Sequence, residues 1–287
     1  MFGLLNLNKP PGWSSRDAVN RVYGLVRPVK AGHAGTLDPL ATGVLVVCLG
    51  PATRLIEYVQ RMPKTYRATF LLGQRSASDD VESEVEQLAD CPRPDIGQID
   101  AALPQFVGEI QQRPPAFSAV KVDGQRAYKL ARRGKLDELP PRPVQVYDLR
   151  VEAYEYPRLE LLIRCGSGTY VRSLGRDLAA ATGSCAVMSQ LVRTAIGPYQ
   201  LADAVDPRSL TVETLPQHIV PAATAVAELP AWRLSEADCA SLAQGGMLAR
   251  DVDVDEFAGL DDAGRLRAIL RRARGDLFKP APNFSQT

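Results

Sequence analysis

The sequence predicts an α+β protein, and three observations carry that expectation. Strand-like and helix-like patterns succeed one another without a repeat: the apolar run 44–49 sits between Gly43 and Gly50, whereas Ala18, Val22 and Leu25 recur at helical spacing before it. The stretch 142–166 reads as two strands joined at Pro157. From Trp232 onward the pattern shortens into one helix and several segments of alternating charged and apolar residues.

The elements follow in order. Residues 2–7 alternate over a short span and form an edge or entry strand. Ser14 or Ser15 offers an N-cap for a helix running to about Val26. "RLIEYVQ" (54–60) gives a short helix ending before Pro63, and "YRATFLLG" (66–73) a strand stopped by glycine. Residues 76–95 are acidic and polar and are expected as a surface loop. Residues 96–108 have helical spacing. Pro114 and Pro115 turn the chain into a basic insertion (about 111–142), where Ala127 to Arg133 are expected as a helix. "YVRSLGRDLAAATG" (170–183) is a helix ending at Gly183. Residues 216–230, bounded by prolines, read as a linker. They separate an expected domain 1–220 from a small terminal domain 229–287.

Composition narrows the function classes. A chain of 287 residues, 45% hydrophobic and 23% charged, is ordinary for a globular protein of about two domains. No run approaches the ~18 apolar residues of a membrane helix. The N-terminus lacks the basic-then-apolar pattern of a signal peptide, so a cytoplasmic protein is expected. Five cysteines stand apart at 48, 91, 165, 185 and 239 with no C-x-x-C pair, and two histidines cannot complete the usual zinc sets. Reduced, buried, structural thiols are expected. There is no Walker A loop and no dinucleotide fingerprint. The net charge of +1 is unevenly spread. Residues 76–110 hold nine carboxylates against Arg93 alone, and 111–142 hold eight Lys or Arg against three acids. A basic cluster of that kind is the footprint of a phosphate-binding face. A second cluster, Arg265 to Lys279, fits a solvated helix face better.

The most informative stretch is Gly32-His33-Ala34-Gly35-Thr36-Leu37-Asp38-Pro39-Leu40-Ala41-Thr42-Gly43. Three glycines let backbone approach a ligand closely, and Pro39 keeps Asp38 out of helical conformation. Spacing alone fits a solvated turn equally well. "GHAGTLDPLATGVL" resembles the signature of the TruB family, bacterial tRNA pseudouridine-55 synthases. Four more blocks agree in order: "LNLNKPPGWSS" (5–15), "KTYRATFLLG" (64–73), "RPPAFSAVKVDGQRAYKLARRG" (113–134) and "GSGTYVRSLGRDL" (166–178). Five ordered blocks over roughly residues 2–200 are far more specific than one glycine-rich loop.

The resemblance implies a pseudouridine synthase fold: a mixed, mainly antiparallel central sheet flanked by helices and loops, with a small C-terminal PUA-like β-rich domain. It implies isomerisation of uridine to pseudouridine at position 55 in the T-loop of tRNA. The C1′–N1 bond breaks, the uracil turns, and C5 joins C1′. No metal and no cofactor is expected, since nothing is oxidised or exchanged overall. By resemblance Asp38 is the catalytic carboxylate, either adding to C1′ or removing a 2′ proton. Arg172 is its ion-pair partner. Tyr66 stacks on the target base and is a candidate base for the C5 proton, although a phenol titrating near about 10 needs help to act so. Tyr170 and Leu191 contact the everted nucleotide, and His33 fills the space it leaves. Lys9 supports the pocket through hydrogen bonds. Lys121 and Arg126, in the basic insertion, bind RNA. The expected partner is the T-arm stem-loop of tRNA, with no membrane and a monomeric protein.

The chain departs from the family where a Thr-Asp-Thr run is usual: Ser76, Ala77, Ser78 and Ser83 stand there. Val187 and Val192 replace a common histidine and arginine. Three other readings stay open: a guide-dependent rRNA pseudouridine synthase relative, a tRNA-binding folding chaperone acting without turnover, and a hydrolase releasing free uracil.

Overall fold

The computed structural model describes residues 1–118, 127, 130 and 139–285, together with the backbone of 121–122 and 125–126. The chain divides into two compact units. The first holds Met1–Asp38, Val44–Gln60 and Pro198–Thr287, and the second Pro39–Gly43 and Arg61–Gly197.

The first unit opens with β1 (Gly3–Lys9) and α1 (Ser15–Val26). Ser14 Oγ accepts from the Asp17 N–H at 3.2 Å, and the Asp17 carboxylate accepts from the Ser14 N–H at 2.8 Å. This reciprocal cap sets the helix start as the sequence predicts. Ala18, Val19, Val22 and Val26 line one face of α1 and pack with Leu5, Leu7, Leu45, Val47 and Leu49. β2 (Ala31–His33) pairs antiparallel with β3 (Thr42–Leu49). Residues 43–49 of β3 are all buried, which is why the sequence there is apolar without alternation. A 3₁₀ turn (Gly50–Leu55) runs into α2 (Ile56–Arg61).

The second unit contains β4 (Lys64–Leu72), β5 (Gln74–Ser76), β6 (Val85–Gln87), α3 (Ile96–Ala102), β7 (Gly108–Gln112), β8 (Lys121–Val122), β9 (Gln125–Arg126), β10 (Arg142–Glu155), β11 (Arg158–Cys165), α4 (Val171–Ala181) and β12 (Ala186–Ile196). Its sheet has the order β12-β4-β11-β10-β7, antiparallel throughout. Thr42 and Gly43, the first residues of β3, pair parallel with Val192 and Arg193 of β12 and make the sheet mixed. Ala68, Phe70 and Leu72 of β4 are buried, as is Thr69 between them. Gly175 of α4 leaves room for the Phe70 ring, which an added Cβ would overlap.

Residues 76–95 are not the solvated loop the sequence suggests. β5 and β6 form a hairpin there, and Ser78 and Asp80 are buried. The expected helix 127–133 lies outside the described residues except for Ala127, which is buried, and Leu130, which is half-buried.

The first unit resumes with β13 (Tyr199–Gln200), β14 (Ile219–Pro221), β15 (Ala231–Arg233), α5 (Glu236–Ala243), β16 (Leu248–Ala249), β17 (Glu256–Leu260), β18 (Leu266–Arg274) and β19 (Leu277–Asn283). The stretch expected as a linker is ordered instead. β14 pairs with β1, and Ala222, Ala225 and Val226 are buried just after it. Of the prolines that suggested a linker, Pro216 lies in the 3₁₀ turn before β14, Pro221 ends that edge strand and Pro230 directly precedes β15. The terminal sheet has the order β15-β17-β18-β19-β16 around Leu242, Phe257, Leu270 and Phe278. Its basic residues from Arg267 to Lys279 lie on strands β18 and β19, not on a helix face. Arg271 of β18 donates to Glu256 at 2.6 Å and to the Tyr58 hydroxyl at 2.9 Å. Phe284 stacks on Phe2, with ring centroids 4.8 Å apart. No helix among the described residues is long and apolar enough to cross a membrane.

Candidate active site

Three of the predicted site residues lie in the first unit. Lys9 ends β1 with no exposed surface, and its ammonium donates to the carbonyls of Pro10 at 3.1 Å and Trp13 at 2.5 Å. The "KPPGW" turn thus wraps its carbonyls around a buried cation, which would otherwise carry a large desolvation penalty. His33, half-buried, ends β2 opposite Val47, so the glycine-rich stretch begins as a strand and becomes a loop from Ala34.

Asp38 is half-buried in that loop. The residue before it is clasped: Ser15 Oγ accepts from the Leu37 N–H at 2.8 Å and donates to the Leu37 carbonyl at 3.0 Å. Ser15 is buried in the first turn of α1. One hydroxyl satisfies both backbone groups of Leu37 and ties the carboxylate-bearing loop to a rigid element. Beyond the loop, Gly43 adopts φ +97°, and an added Cβ would overlap the Arg193 backbone. Only glycine fits at this start of β3.

The second unit holds Tyr66, Tyr170, Arg172 and Leu191. Tyr66 sits on the central strand β4, in register with Ile163 on one side and Arg193 on the other. Leu191 is buried in register with Ala68 of the same strand. Tyr170 immediately precedes α4, and its backbone is gripped by the buried Gln112 side chain. The Tyr170 N–H donates to Gln112 Oε1 at 2.7 Å, and its carbonyl accepts from Nε2 at 3.1 Å.

The start of α4 fastens two neighbouring segments. Arg172 Nη1 donates to the Ser78 carbonyl at 2.9 Å and to Asp80 Oδ2 at 3.1 Å, and Nη2 donates to the Phe117 carbonyl at 3.2 Å. Ser173 Oγ donates to the Arg113 carbonyl at 2.9 Å. Arg176 donates to Asp79 at 2.8 Å. Asp79 has a positive φ of 59°. Burial raises its carboxyl above the usual range, although Arg176 pulls the other way.

Asp80 is the residue that sequence reasoning missed. Its carboxylate is satisfied by Arg172, by the Ser78 hydroxyl at 2.5 Å and by the Glu82 N–H at 3.0 Å; Ser76 bonds its backbone carbonyl. Two of the serines that mark the departure from the family pattern therefore build a cradle for this acid. The side chains of Lys121 and Arg126 lie outside the described residues.

The model described as the TruB family pseudouridylate synthase N-terminal domain matches residues 22–171. The chain belongs to the TruB family. The match spans His33, Asp38, Tyr66 and Tyr170 and stops one residue before Arg172. A tRNA pseudouridine synthase B of Rhodopirellula baltica is 40% identical over the whole of this chain and 95% of its own length. One from Caulobacter vibrioides is 43% identical over 85% of the chain and 80% of its own. Among solved structures, a chain of a Cbf5-Nop10-Gar1 complex aligns with a TM-score of 0.77 at 26% identity, over 99% of this chain and 85% of that one. The expected TruB-like architecture holds: an α+β fold with a large mixed sheet and a PUA-like terminal sheet.

Proposed function

We propose that this chain isomerises uridine to pseudouridine in tRNA, at position 55 of the T-loop. The observation that carries the reading is the likeness to tRNA pseudouridine synthase B proteins at 40% identity along the entire chain. The placement of Asp38 in a loop braced from behind by Ser15 suits a group that must hold its direction during bond exchange.

The chemistry follows from the residues. The target base is stacked inside a folded T-loop and must be everted, at a cost of about a few kcal/mol. The His33 imidazole fills the vacated space, and Tyr66 receives the base on its ring. Asp38 acts at the ribose while the C1′–N1 bond breaks, by adding to C1′ or by taking the 2′ proton. The uracil rotates, C5 bonds C1′, and the C5 proton leaves, with the Tyr66 oxygen as its candidate acceptor. By the family resemblance, Arg172 is the cation assigned to the Asp38 carboxylate. Tyr170 and Leu191 wall the nucleotide. Lys121, Arg126 and the rest of the basic insertion bind the phosphates of the tRNA elbow. The protein works as a cytoplasmic monomer.

A T-arm stem-loop carrying tritium at uracil C5 tests the reaction. Turnover releases the label to water, and Asp38→Asn lowers release by about 10²–10⁴-fold with RNA affinity retained. Absence of release from wild-type protein overturns the proposal, and free uracil among the products converts it into a hydrolase. The likeness to Cbf5 favours a second reading, a guide-dependent enzyme. Turnover on a T-arm hairpin with no guide RNA present excludes it.

A further inference from the structure

Cys91 and Cys185 meet in the second unit. Their Sγ atoms are 3.0 Å apart, and the Ser184 hydroxyl lies 3.5 Å from Cys91 Sγ. Both are half-buried and within reach of a small oxidant, whereas Cys48 and Cys165 are enclosed. Cys91 closes the acidic segment, and Cys185 stands in the turn between α4 and β12.

The backbone already aligns the two residues. The Gly73 N–H donates to the Cys185 carbonyl at 2.9 Å, the Leu88 N–H to the Gly73 carbonyl at 2.9 Å, and the Cys91 N–H to the Leu88 carbonyl at 3.2 Å. A disulfide has an S–S separation of about 2.05 Å, so bonding needs a shift of about 1 Å, within reach of side-chain rotation. The environment treats the two thiols differently. Burial by itself raises Cys91, but hydrogen bonds from Ser184 and Cys185 bring it below the ordinary thiol value. Burial and the neighbouring Cys91 push Cys185 up to about 12. A more acidic thiol beside a protonated one suits thiol–disulfide exchange.

We propose that Cys91 and Cys185 form a reversible oxidation site whose disulfide clasps the Asp79–Asp80 segment to the far end of α4. In the forward direction the Cys91 thiolate attacks a low-molecular-weight disulfide and expels one half as thiolate. Cys185, losing its proton, then displaces the second half. The two protein thiols give up two protons and two electrons, and the small disulfide becomes two thiols. The segment, held at one end by Arg172 and Arg176, becomes covalently held at the other. A small dithiol reverses the step.

The test uses the full chain with glutathione disulfide as oxidant and dithiothreitol as reductant. Free thiols counted in denaturant fall from five to three. A peptide map shows Cys91 linked to Cys185, and amides of residues 76–90 exchange more slowly with deuterium. Dithiothreitol reverses all three effects. Cys91→Ser and Cys185→Ser each abolish the linked peptide and the slowed exchange. Persistence of five thiols, separate glutathione adducts without a linked peptide, or a linked peptide with unchanged exchange would overturn the proposal. The map of the wild-type protein decides the matter even where a variant fails to fold.

Discussion

Arg172 and Asp80 form an ion pair at 3.1 Å in which both side chains are almost wholly enclosed, 7% and 2% exposed. Enclosure removes the screening that makes surface pairs weak, so breaking one partner matters more than the pair is worth as a whole. Asp80→Asn takes one buried carboxylate away from the enclosed guanidinium. The expected loss is about 3–5 kcal/mol of unfolding free energy, read from urea melts, with slower label release. Arg172→Lys cannot reach Asp80 and the two carbonyls at once. A double-mutant cycle on the two positions is expected to show coupling above about 0.5 kcal/mol, and an additive result would deny the pairing.

Ser15→Ala removes the one hydroxyl that serves both backbone groups of Leu37. Leaving buried polar groups unsatisfied costs about 1–3 kcal/mol. Because the neighbouring Asp38 loses its brace, kcat should fall more than KM rises. Steady-state kinetics with a T-arm hairpin separate the two.

Gly43→Ala introduces strain at a positive φ and a clash with the Arg193 backbone. Overpacking of this kind costs about 1–3 kcal/mol, visible as a lowered melting temperature. Gly108→Ala, also at positive φ but with open space around it, is the control for backbone strain alone. It should lose less.

Deleting residues 118–136 removes most of the basic insertion. T-arm affinity is expected to drop by about tenfold or more at moderate salt, with a shallower salt dependence. The circular dichroism and melting of the remaining chain should stay close to wild type. Undiminished affinity would move RNA binding elsewhere.

Local signals were legible in the sequence. Ser14 and Asp17 cap α1 and the unbroken apolar run is β3, because each depends on residues a few positions away. Asp80 was hidden among nine carboxylates in 76–110 that look alike in sequence. Only contact with Arg172, ninety-two positions away, distinguishes it. The approach of Cys91 and Cys185 was invisible for the same reason. The basic cluster Arg265 to Lys279 misled in another way: its charge suits a solvated helix face as well as a strand, and pairing with neighbouring strands decides. At 216–230 the prolines read as a linker, yet Pro221 ends an edge strand that pairs with β1.

The pairing of β14 with β1 and the stacking of Phe284 on Phe2 have a bearing on biosynthesis. The ribosome delivers the opening strand long before the residues that cover it, and the whole of 61–197 emerges in the interval. The second unit can therefore mature while the nascent N-terminal portion waits, its edge bare, for the last ninety residues. Stalling late in translation would release a chain with an unfinished sheet, a natural client for chaperones.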